Sequence, residues 1–88
     1  MPTPVKDFGF YDPQEAFRRT CENREIPFAK IGMKVRVGDR MGTIKGSNYS
    51  ANLDVEFDGD DFVSNCHPHW NITYYSANGE VLAVYGKG

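Results

Sequence analysis

The sequence predicts a mostly-β domain, a small, partly closed antiparallel barrel of about five or six short strands with one N-terminal α-helix. Three observations carry this. From Ile31 onward apolar residues alternate with charged ones: Met33, Val35 and Val37 against Lys34 and Arg36, then Leu53, Val55 and Phe57 against Asp54, Glu56 and Asp58. That is the period of a strand with one buried face. Turn dipeptides separate the alternating runs, at Gly38-Asp39, Asp58-Gly59 and Asn78-Gly79. The chain has 88 residues, too few for a two-sheet sandwich, and closure would remove the bare edges of a small open sheet.

The elements follow in order. Residues 1–11 hold Pro2, Pro4 and Gly9 with Phe8, Phe10 and Tyr11 and show no periodicity; they read as an arm outside the single domain of residues 12–88. Asp12 is a helix cap, Pro13 suits the first helical position and Glu15 the third. A helix over 13–23 places Ala16, Phe17, Thr20 and Cys21 on one face. About three turns are marginal in isolation, so this helix must pack on something. Pro27 ends any continuation. Strands are expected over 31–37, 40–45, 53–58, 62–66, 71–75 and 80–85, giving a β-body over 31–86. Gly42 is the expected site of a bulge, and His67-Pro68-His69-Trp70 breaks the chain before the last hairpin.

Composition excludes several classes. Hydrophobic residues make up 40% and charged residues 25%, which suits a folded domain. No run of about 20 apolar residues is present to span a membrane. The N-terminus lacks the layout of a signal peptide, so a cytoplasmic location is expected. Two cysteines are too few for a disulfide framework. A net charge of −2 argues against a whole-protein grip on nucleic acid. The charges are segregated, however. Lys30, Lys34, Arg36, Arg40 and Lys45 meet one acid, Asp39, whereas Asp54, Glu56, Asp58, Asp60 and Asp61 stand without a base. Neighbouring strands of opposite charge on one solvated face account for this.

Residues 31–46, reading IGMKVRVGDRMGTIKG, and 52–59, reading NLDVEFDG, resemble the opening hairpin and third strand of small SH3-like barrels of the KOW and Tudor-like kind. The shared features are a Gly-Asp turn, the Gly42-Thr43-Ile44 run and the Val55-Glu56-Phe57-Asp58-Gly59 run. The resemblance covers about a third of the chain. It implies an SH3-like barrel whose relatives bind RNA, DNA, peptides or other proteins. The chain also resembles small uncharacterised bacterial or prophage-encoded proteins with a Cys-His-Pro-x-Trp segment, here residues 66–70. That resemblance implies no activity.

Three functional readings follow. The first is a non-enzymatic module that binds protein or peptide through exposed aromatics, Tyr49, Trp70 and one of Tyr74 and Tyr75, edged by Arg36 or Arg40. Phe57, Phe62 and Trp70 are expected to supply core members. The second is a nucleic-acid-binding module using the basic stripe Lys30, Lys34, Arg36, Arg40 and Lys45. The third is a metal- or thiol-dependent enzyme at Cys66, His67 and His69, with Cys21 as a further ligand. Adjacent residues on a strand face opposite ways, which weakens a Cys66–His67 pair. Acid/base work or calcium binding at the acids of residues 54–61 is set aside as a solvated face. No phosphate-cradling glycine motif is present. No cofactor is expected, and the oligomeric state is open.

Overall fold

In the computed structural model, residues 13–86 are described; the expected arm of residues 1–11 and the Asp12 cap lie outside them. The elements are α1 (Pro13–Asn23), β1 (Lys34–Val37), β2 (Arg40–Ser47), β3 (Leu53–Phe57), β4 (Ser64–Cys66), β5 (Ile72–Tyr75) and β6 (Val81–Tyr85). All pairings are antiparallel, in one six-stranded sheet of order β4-β3-β2-β1-β5-β6. The mostly-β class with one N-terminal helix therefore holds. The sheet itself does not close, and β4 and β6 remain separate edges. β4 has only three residues, and Pro68, which lacks an N–H, follows two positions on.

Helix α1 buries Phe17, Thr20 and Cys21 and packs against β2. Its other face carries Arg18, ion-paired to Glu15 and Glu22 one turn to either side. The helix stops before Pro27. The Ile26 N–H donates to the Cys21 carbonyl (2.9 Å) and the Glu25 N–H to the Glu22 carbonyl (3.2 Å), the paired bonds of a Schellman turn. Glu25 occupies its left-handed position at φ 59°, where glycine is usual. Ile26 and Cys21 both enter the core, so the turn tucks the chain beneath the helix.

The core lies between the helix side and one face of the sheet. Val35, Ile44, Leu53, Val55, Ile72 and Tyr74 come from the strands, and Phe17, Cys21, Ile26 and Ala29 from the helix and the segment after it. Alternation is cleanest in β3, where Leu53, Val55 and Phe57 are buried and Asp54 and Glu56 are not. The bulge is not at Gly42 but between Ile44 and Gly46. Gly42 is regularly paired, with Val35 on one side and Phe57 on the other. A Cβ there would stand 2.6 Å from Val55 Cγ1 and 3.0 Å from the Glu56 carbonyl oxygen, so glycine permits close approach of β3. Of the three aromatics expected to supply the core, only Phe57 does so. Phe62 and Trp70 are each 58% exposed, because Phe62 lies past the end of β3 and Pro68 takes the buried position ahead of Trp70.

Candidate functional site

Of the predicted aromatic residues, Tyr49 and Trp70 are exposed, Tyr75 is half-buried and Tyr74 is buried. Tyr49 sits at the tip of the β2–β3 loop, 96% exposed. The loop beneath it is tied down. Asn48 Oδ1 accepts from the Ser50 and Asn52 N–H groups, and Asn48 Nδ2 donates to Asp54 and Asn65. Arg24 donates to the Ala51 and Ser50 carbonyls and to Asn52 Oδ1. Trp70 lies in the bend before β5 and Tyr75 ends that strand. Tyr74 is a core residue rather than a ligand contact. It is buried, its hydroxyl donates to the Pro68 carbonyl (2.7 Å), and burial pushes its phenol well above the ordinary value.

Three of the five cations of the basic stripe stand in ion pairs with the acidic strand and turn beside it. Lys34 pairs with Asp58 (3.3 Å), Arg40 with Asp60 (3.2 Å) and Lys45 with Glu56 (3.5 Å). Arg40 also lies over the Phe57 ring, 4.5 Å from its centroid, a cation–π contact. The register of β2 on β3 sets Thr43 against Glu56 and Gly42 against Phe57, which brings the charged ends together. Among the described residues, Lys30 and Arg36 make no ion pair.

Cys66 and Cys21 are free and both are buried. Burial raises both thiols, Cys21 to about 11, with Glu22 adding to its shift and Asp54 to that of Cys66. The thiolate is the nucleophile and the metal ligand, and both sites disfavour it at neutral pH. His67 is exposed, and its Nδ1 accepts from the His69 N–H. Desolvation first, then the charges of Arg24 and His69, lower its pKa. His69 Nε2 donates to the Arg24 carbonyl, and its ring stacks on Tyr85 with centroids 4.5 Å apart. His69 thus fastens the helix end and the β6 end to the 67–70 turn. Among the described residues, no group of three or more His, Cys, Asp or Glu side chains is placed to hold a metal ion.

A site that the sequence reading passed over lies between residues 28–34 and the β5–β6 hairpin. Phe28, Ile31, Met33, Tyr75 and Leu82 line an open groove with Lys30 and Lys34 beside them. The segment is held in place without being a strand. The Gly32 N–H donates to the Ile44 carbonyl, and the Ile44 N–H to the Met33 carbonyl. Phe28 meets Tyr74 edge-on at 5.1 Å. A register shift between Tyr74 and Tyr75 leaves Leu82 between the paired residues Val81 and Ala83. The run Phe28-Ala29-Lys30-Ile31 carries no clean period, so periodicity alone could not assign it. Comparison with protein-family models, with curated proteins and with solved structures finds no match to this chain.

Proposed function

We propose that this chain is a non-enzymatic, SH3-like binding module that takes a short segment of a partner protein in the groove beside Tyr75. The observation that carries the reading is the groove's mixed make-up: Phe28, Ile31, Met33, Tyr75 and Leu82 line it together with Lys30, Lys34 and Ser76. Tyr75 offers large contact area at low rotamer cost. An apolar or aromatic side chain would displace water from the lining, and a neighbouring Asp or Glu would meet Lys30, which has no acidic partner among the described residues. Lys34 holds Asp58 only in an exposed pair, worth little to either side, so it is free to exchange. The strand order supports the SH3-like reading, since β1 pairs with both β2 and β5. The raised thiols support a non-enzymatic role. A cytoplasmic, bacterial or phage setting belongs to the same proposal.

The test is selection of peptide ligands from a random display library on the full chain. Enriched peptides should place an aromatic or aliphatic residue next to Asp or Glu. Tyr75→Ala and Lys30→Glu should each weaken them about tenfold or more. Peptides whose binding survives both substitutions would refute the groove. Retention of nucleic acid with a steep loss of affinity in salt would return the basic stripe to the centre.

A further inference from the structure

The β5–β6 hairpin closes on Ser76. The Ser76 N–H donates to the Glu80 carbonyl (2.7 Å), and the Gly79 N–H donates to the Ser76 carbonyl (2.9 Å). The Ser76 hydroxyl oxygen in turn accepts from the Asn78 N–H (3.2 Å) and the Glu80 N–H (3.1 Å). A serine oxygen carries two lone pairs and one hydrogen. The turn takes both lone pairs, so rotating the hydroxyl would give up one of these bonds. The hydrogen is left with one direction, and among the described residues no acceptor meets it. Ser76 lines the groove together with Tyr75 and Ala77. Lys30 and Lys34 share that lining, and among the described lining residues there is no acid. Lys34 stands one step beyond the Val35–Tyr74 pair, which sets it across from Tyr75, the neighbour of Ser76. A second groove, beside α1, is different. Glu15 and Glu22 line it with Arg18 and Lys30, and Arg18 already holds both acids.

We infer that Ser76 is the specificity-determining residue of the groove. Its hydroxyl donates to the side-chain carboxylate of an Asp or Glu in the partner segment, while Lys30 and Lys34 supply the charge. This inference rests on the peptide reading of the groove and adds the residue that selects the acid. Charge complementarity fixes the class of group: two cations and one unused donor share a lining that holds no acid among the described residues. A carboxylate is acceptor-only and has lone pairs enough for a hydroxyl and an ammonium together. A lysine is a rotatable point charge and takes an anion from many directions. The Ser76 donor is held by the turn before any ligand arrives, so little freedom is lost when it binds. A hydroxyl-to-carboxylate bond is also charge-assisted, and it is stronger than the same bond to a neutral amide carbonyl. The hairpin turn therefore reads the carboxylate, and Tyr75 beside it receives the neighbouring apolar side chain.

Two blocked dipeptides test this, acetyl-Phe-Asp-amide and its uncharged isostere acetyl-Phe-Asn-amide. Each is titrated by nitrogen-15 NMR into the full chain and into its Ser76→Ala and Ser76→Thr variants. The Asp peptide should bind with a dissociation constant on the order of 1 mM and shift the amides of Tyr75, Ser76 and Ala77. Ser76→Ala should weaken the Asp peptide about tenfold and the Asn peptide about threefold or less. Ser76→Thr keeps the hydroxyl and should hold the Asp peptide to within about twofold of the parent. A loss in Ser76→Ala that is equal for the two peptides would show that Ser76 only shapes the turn. That result, or a Thr variant as weak as the Ala one, would overturn this inference and leave the groove reading standing. An Asp peptide that fails to bind, or that shifts only residues outside the groove, would overturn both.

Discussion

Glu25 illustrates how one residue holds strain inside a sound fold. Its φ of 59° costs an L-residue about 1–2 kcal/mol. Glycine would shed that cost while losing about 0.5–1 kcal/mol of chain entropy. Glu25→Gly is therefore expected to stabilise the protein by about 0.5–1 kcal/mol, read as a raised urea midpoint with unchanged slope. Gly42 is the reverse case. Gly42→Ala would press a methyl group against Val55 and the Glu56 carbonyl. Overpacking of this kind should cost about 2–3 kcal/mol in the same measurement. Ionisable core groups set a further expectation. The Cys21 thiol is raised from 9.0 to about 11, and Cys66 and Tyr74 are raised as well. The unfolded chain ionises first, so stability is full below pH 9.0 and falls as pH rises toward about 11. Urea midpoints measured across that window should decline, and less steeply in Cys21→Ala than in the parent.

At the level of elements, sequence and structure agree where a period is long and clean. The helix over 13–23 follows from Pro13 and Glu15 at its start and from the Phe17, Thr20, Cys21 face. β3 follows from strict alternation. What escaped the sequence was set by partners distant along the chain. Gly42 looked like a bulge because glycine is common there, yet the crossing of β3 requires it, and the bulge falls beside Lys45. Trp70 looked like core, but Pro68 and Tyr74 fill that space and share a hydrogen bond. The groove residues Phe28, Ile31 and Met33 lie in a segment whose order comes from bonds to Ile44 rather than from its own pattern. Arg24 is similar. It ties the helix end to the β2–β3 loop through Ser50, Ala51 and Asn52, a role no local motif announces.

For the molecule as a whole, the paired strand charges gather on one face. The β1, β2 and β3 face carries cation–acid pairs on its solvent side. The helix and residues 26–29 cover the inner face. Apolar surface is exposed in the β5–β6 groove and along the edge strand, at Tyr49, Phe62, Val63 and Trp70, and in a second groove lined by Phe17, Pro27, Ala29 and Ile31. Among the described residues, no helix is long and apolar enough to cross a membrane. The most direct test is a nitrogen-15 NMR titration of the full chain with a peptide selected on it. Amide shifts confined to Phe28, Lys30, Met33, Tyr75 and Leu82 are predicted. Shifts gathered around Tyr49 and Trp70, with the groove unmoved, would contradict the account.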